Sequence, residues 1–508
     1  MSRLSANILY NFFGQGLVTA LGFVAMKFVF TELGDDALGI IYFALTLNGV
    51  LTAVMELGVS STTVREVSAH LDSEPEYIGD LIRTASLFYW TSYVTLSAGV
   101  YLAAPALVER WVNLSDMDIA TATTVLRLLG IGGLVAIPRS LYMSLFRGIQ
   151  RMEFNNLIDV SFMALQQLGT IAILALGGGL LPVVYWLSAS FGLSVLFYLL
   201  IALRFFRWQS FLPGFSLAAI KRNIGYSRYM MSISLLSMVH LQADKLIVSK
   251  LLPLGFFGYY VVAFGAVSRG GSLVTSAVVN AAFPSLSSLF GQGARAGMMA
   301  RYTQLRDLVA LGTVPIFSGI VFFALPLFGF VFNPGIARML LLPVVLLAVG
   351  SYMNSALSLL HTFSLAVGMP EISARANFIA LFVVLPLTAL LIYQFGLTGA
   401  ALSWVAYHLF AFSYTVPRIC RRCLNASVWP WYRHFLRIGS LVVVTYGLSA
   451  LCLAILRATS LLALSLGYCI GSLLFLVGSY HVMGDELRGT LRRFLRYPAS
   501  RPQRQDTA

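Results

Sequence analysis

Runs of about twenty mostly apolar residues alternate with short polar stretches along this chain from one end to the other. A hydrocarbon core about 30 Å thick needs roughly 20 apolar residues of helix to cross it. On that measure the pattern predicts about fourteen spans. They fall at 7–30, 38–59, 81–107, 119–146, 154–176, 181–203, 226–252, 258–283, 308–332, 339–365, 376–393, 397–416, 435–456 and 461–483. The run at 7–30 is too long for a signal-peptide h-region and lacks a small-residue cleavage site, so it is expected to be the first span. The stretch "VWPWYRHF", 428–435, reads as an interfacial anchor, and the polar tail 497–508 reads as disordered.

Composition agrees with a polytopic membrane protein. The 508 residues are 58% hydrophobic and 11% charged, with a mean hydropathy of +0.82, whereas soluble chains are about a quarter charged. The net charge of +14 does not indicate nucleic acid, because the arginines lie in short stretches between spans and form no basic domain with stacking aromatics. They follow the positive-inside rule instead. With the N-terminus inside, basic residues of short loops and the tail favour the cytoplasmic side by roughly six to one, and both termini are expected there, in a bacterial inner membrane.

A weak repeat is visible. "NILYNFFGQG" at Asn7 is echoed by "NIGYSRYMMS" at Asn223, and "LGDDALGIIYFA" at Leu33 by "LGFFGYYVVAF" at Leu254. Six spans separate the two starts, so both enter from one side, as in a parallel repeat. The expected division is a six-helix lobe at 1–210, a second at 211–425, a two-helix hairpin at 426–485 and a tail at 486–508.

Charges inside spans are costly, at least about 2.5–3.5 kcal/mol each at the bilayer centre, and so mark function or pairing. They are Lys27, Glu56, Arg127, Arg139, Asp159, Asp244, Lys245 and Arg269. Lys27 lies near a span end and has snorkelling as its alternative; Glu56 and Asp159 lie near inner ends, where water or helix capping would serve them. Arg127 and Arg139 have carboxylate pairing as theirs. Asp244 and Lys245 are sequence neighbours about 100° apart on a helix, so each is expected to need its own partner. Together with Arg269 they have a structural salt bridge as their alternative. Five basic groups against three acidic ones suit an anionic ligand, and arginine's planar fork matches pyrophosphate oxygens. His240, His361 and His408 are expected to pack rather than carry protons. The "CRRC" at 420–423 has no nearby second pair of ligands and is expected to hold no metal. No cofactor is expected.

The stretch "ADKLIVSKLLPLGFFGYYVVAFGAVSRG" at 243–270 resembles the second-lobe entry of Wzx-type oligosaccharide flippases. The opening "NFFGQGLVTALGFV" with "LGDDALGIIYF", and "FGLTGAALSWV" at 395–405, are similar to the same family. It belongs to the multidrug/oligosaccharidyl-lipid/polysaccharide exporter superfamily. The resemblance implies an all-α protein with two six-helix lobes around a central cavity and two extra C-terminal helices. It implies alternating access for a polyprenyl-pyrophosphate-linked glycan, its pyrophosphate held by Lys27, Lys245 and Arg269 with Arg127 and Arg139 as further candidates. Glu56, Asp159 and Asp244 become the candidates for ion coupling. The implied partners are membrane lipid and polysaccharide polymerase or export machinery, and no nucleic acid. Two other readings stand beside it. One is a drug or cation antiporter of the same superfamily, which would favour acidic cavity walls. The other is a lipid-sugar glycosyltransferase using Asp35 and Asp36, whose loop is too short to build an active site.

Overall fold

The computed structural model describes residues 3–55, 58–484 and 488–489, with side chains at 3–13, 15, 226, 228–237 and 240 left undescribed. Glu56, the side chain of His240 and the tail 497–508 therefore lie outside the described residues. The rest is helical. In order, the helices are α1 (Arg3–Met55), α2 (Val59–His70), α3 (Pro75–Arg110), α4 (Ile119–Leu134), α5 (Ala136–Gly148), α6 (Met152–Ala175), α7 (Leu180–Ala202) and α8 (Leu217–Leu251). There follow α9 (Leu254–Gly291), α10 (Arg295–Phe322), α11 (Ala324–Val331), α12 (Pro334–Ala366), α13 (Glu371–Ile419), α14 (Trp429–Val442), α15 (Leu448–Ile455) and α16 (Leu461–Val482). In a bilayer only intra-helical bonding can satisfy a long backbone, which is why hydropathy located most of the long helices, though not α2.

Among the described residues, eleven helical stretches are long and apolar enough to cross a membrane. Two of them, of 40 and 54 residues, exceed one crossing, and each is interrupted by a glycine with positive φ, Gly34 at 83° and Gly396 at 57°. Only glycine adopts such angles cheaply. At Gly396 the chain folds back: Tyr407 donates to Asn377 Oδ1 at 3.0 Å across the break. Proline acts unevenly. Pro138 sits beside the break between α4 and α5, where its missing N–H prevents a continuous ladder, but Pro315, Pro343 and Pro386 lie inside unbroken helices. Helix starts are capped where sequence allows, by Asp118 on Thr121 N–H, Ser216 on Ala219 N–H and Ser460 on Ala463 N–H.

The chain divides into two compact units. The first comprises Met1–Val261 and Phe330–Asn333, and its core is built on Tyr89, Tyr142, Phe146 and Tyr198. The second comprises Val262–Gly329 and Pro334–Ala508, with Tyr302, Phe363, Phe412 and Trp431 at its core. Within the first unit, Gly39 meets the turn that opens α9. A Cβ at Gly39 would lie 2.3 Å from the Leu254 carbonyl oxygen, and one at Gly258 would lie 3.3 Å from Gly39 Cα. Backbone there has no room to yield. Gly39→Val is expected to destabilise the protein by about 1–3 kcal/mol, read as a lower melting temperature in detergent, whereas Gly22→Ala, with open space around it, should change little.

Candidate functional site

Span seven carries two buried charges side by side. Asp244 and Lys245 on α8 are each only 7% exposed. Contrary to the expectation of separate partners, they bridge one another, Lys245 Nζ to Asp244 Oδ1 at 3.4 Å. The 100° offset between neighbours fixes where side chains start, not where a flexible four-carbon stem ends. Lys245 curls back to donate to the Leu241 carbonyl at 2.6 Å, one turn earlier, and so comes alongside Asp244. The other Asp244 oxygen accepts from Tyr260 on α9 at 2.6 Å. A buried charge pair is tolerable only when such additional bonds satisfy it.

The remaining candidates separate into engaged and available groups. Arg139 of α5 pairs with Asp159 of α6 at 3.4 Å, and Tyr198 of α7 donates to the same carboxylate at 2.9 Å, so three helices are tied by one cluster. Arg127 of α4 donates to the Tyr101 carbonyl and lies 4.3 Å over the Tyr101 ring, an attachment to α3. Lys27 of α1 is half-buried with its ammonium 4.1 Å over the Phe330 ring. Arg269 of α9, in the second unit, is exposed. Among the described residues neither Lys27 nor Arg269 has a carboxylate within ion-pair distance. His361 bonds Ser373, His408 donates from Nδ1 to the Trp404 carbonyl, and Cys420 and Cys423 are free thiols in the packed core of the second unit.

Two clasps at opposite ends of α3 join α8 and α9 to the earlier helices of the first unit. At one end Asp36 accepts from the backbone N–H groups of Ser115, Asp116 and Met117, pinning the α3–α4 connection, and Asp35 accepts from Tyr259. Asn113 donates to the Lys250 carbonyl, and Trp111 to Ser249. At the other end Arg222 of α8 bridges Glu74 at 2.7 Å and Glu66 at 3.7 Å. Arg65 and Tyr77 also bond Glu66, Asn223 donates to Tyr77, and Thr62 meets Ser227 at 2.8 Å. Sequence reading counted Arg65 and Arg222 only toward topology and did not anticipate α2. The signal was the four-residue spacing of Glu66, His70 and Glu74 in a connection whose charges are mostly acidic.

Burial raises the Glu66 carboxyl, but hydrogen bonds from Tyr77 and Arg65, with the Arg65 and His70 charges, more than offset it and leave it below the ordinary 4.5. The hydrogen bond from Arg222 holds Glu74 below 4.5 as well. The folded values are depressed, so the clasp contributes fully above that range and is lost as pH falls through the lowered values. Spin labels at Ser68 and Lys221 are expected to show one short distance at neutral pH. A longer population should appear in acid, and at neutral pH in Arg222→Glu, which would face Glu66 and Glu74 with like charge.

Long apolar helices, two of them broken at glycines, with ion pairs within and between them, define a multi-pass membrane protein of transporter architecture. The chain belongs to the family described as polysaccharide biosynthesis protein, whose profile matches residues 4–290. The resemblance to Wzx-type flippases of the exporter superfamily stands. A Shigella flexneri protein named "Putative O-antigen transporter" is 22% identical over 414 residues, covering 78% of this chain and 93% of that protein. Among solved structures, lipid II flippase MurJ in an inward closed conformation superposes with a TM-score of 0.71 at 14% identity, covering 96% of this chain and all of that one, 100%. An inward-facing multidrug resistance transporter of the MATE family gives 0.66 at 15% identity, covering 80% and 95%. At those identities the structures speak for the fold.

Proposed function

We propose that this chain is a flippase that carries polyprenyl-pyrophosphate-linked oligosaccharide from the inner to the outer leaflet of a bacterial cytoplasmic membrane. One observation carries the reading. The described acids inside spans, Asp159 and Asp244, are both neutralised by neighbouring cations, while Lys27 and Arg269 have no carboxylate. The excess is cationic and suits pyrophosphate; a cation antiporter would need the opposite. Lys245 becomes a third ligand once its bridge to Asp244 opens.

The transport cycle in this reading is alternating access between lobes 1–210 and 211–425, with the hairpin 426–485 appended and about fourteen crossings, both termini cytoplasmic. Glycan occupies a hydrated cavity while the prenyl tail stays in lipid. Moving negative charge outward follows an inside-negative potential, worth about 2.3 kcal/mol per charge per 100 mV. Products then pass to polymerase and export machinery.

The test is reconstitution. Vesicles carrying fluorescent prenyl-pyrophosphate-sugar are expected to show protein-dependent transfer of the headgroup between leaflets, read by a membrane-impermeant quencher. Proton-linked efflux of an organic cation without lipid-sugar transfer would establish the antiporter, and elongation of the sugar would establish a transferase.

A further inference from the structure

The fold-back at Gly396 brings the two ends of α13 together, and a pocket of about 200 Å³ lies between them. Its walls are Glu371, Ile372 and Arg375 from the first turns and Tyr414, Arg418 and Arg422 from the last, the latter spaced four apart and hence on one helix face. Arg422 sits on the π-turn Cys420–Leu424, a local widening that often accompanies functional positions. Three guanidinium groups and one carboxylate converge here. Among the described residues none of the three arginines has an ion-pair partner. Arg418 is positioned beforehand: it donates to the Tyr414 carbonyl at 2.8 Å and stacks 3.4 Å above the Tyr414 ring. With three guanidinium groups against the single Glu371 carboxylate the lining is left cationic, and a bound anion would relieve the remaining repulsion.

We propose that this pocket is a second anion site, separate from Lys27 and Arg269, that binds a diphosphate group through Arg375, Arg418 and Arg422. Arginine forks match paired phosphate oxygens in a way lysines would not. Under the topology proposed above, the pocket opens at the cytoplasmic face. There it receives the lipid-borne diphosphate before the headgroup enters the transport path. That role rests on the flippase reading; the binding itself does not.

The experiment uses the full chain in nanodiscs of neutral lipid, in a Lys27→Ala/Arg269→Ala background so that binding at those two cations does not register. The probes are inorganic pyrophosphate and a short-chain prenyl diphosphate, followed by calorimetry. Saturable binding is expected, weakened at least tenfold by Arg375→Gln/Arg422→Gln and tightened several-fold by Glu371→Gln, with unchanged melting temperatures. Tighter binding of the prenyl probe than of pyrophosphate supports a lipid source, and equal binding overturns the docking role. Affinity that is the same with and without the two arginines overturns the site. So does displacement by phosphatidylglycerol as effective as by prenyl diphosphate. If otherwise intact protein loses binding in Arg375→Gln/Arg422→Gln yet transports normally, the docking role fails and the flippase reading stands.

Discussion

Lys27→Ala and Arg269→Ala are each expected to lower transfer of lipid-linked glycan by about ten- to hundredfold, the cost of one charge-assisted hydrogen bond to a phosphate. The double variant should fall near background. Neither side chain neutralises a described acid, so their loss leaves no orphaned charge, and protein yield and melting temperature should hold. That separation is the diagnostic. Arg269→Lys should recover only part of the rate, because an ammonium supplies a point charge in place of a planar fork. Arg127→Ala and Arg139→Ala provide the contrast, since their heads already serve Tyr101 and the Asp159–Tyr198 cluster. Those two are expected to reduce stability more than turnover. Initial rates in vesicles, normalised to folded protein, distinguish the patterns, and undiminished transport in the Lys27/Arg269 double variant would sink the anion-carrier reading.

Asp244→Ala is expected to have the largest effect on folding. It removes the carboxylate that faces the buried Lys245 ammonium and takes an acceptor from Tyr260. Removing one partner of a buried pair costs about 3–5 kcal/mol, a large share of a stability margin of about 5–15 kcal/mol. The expected readout is loss of monodisperse protein after detergent extraction, or a melting temperature well below the parent. Asp244→Leu with Lys245→Met should recover most of the stability while transport stays impaired. Such a pair of results would show that the bridge holds Lys245 in place for the cycle, since its bare removal is tolerated by the fold.

Much of the architecture was legible because a bilayer imposes one rule on the backbone, and about twenty apolar residues are its visible trace. Gly34 and Gly396 fall between expected spans for the same reason. Partner choice was not legible. Arg139 finds Asp159 across 20 residues of sequence, and Arg222 finds Glu74 across 148. Nothing in local spacing announces either, because both depend on how helices are laid side by side. Asp244 and Lys245 misled in the other direction: helical periodicity describes Cβ directions, and a lysine stem spans more than that difference. The Arg375–Arg418–Arg422 pocket was hidden too, its parts having counted as a positive-inside signal at two separate helix ends.

The final two helices are not a detachable addition. Asp307 of α10 is 1% exposed; its two oxygens are met by Arg306 and by the backbone N–H of Gly484, just beyond α16, with His434 of α14 at 3.6 Å. Removing residues 426–484 would take away the Gly484 N–H and the His434 ring from that buried carboxylate and leave Arg306 to serve it. Descent with an occasional loss of the hairpin would first have to replace Asp307 with something oily.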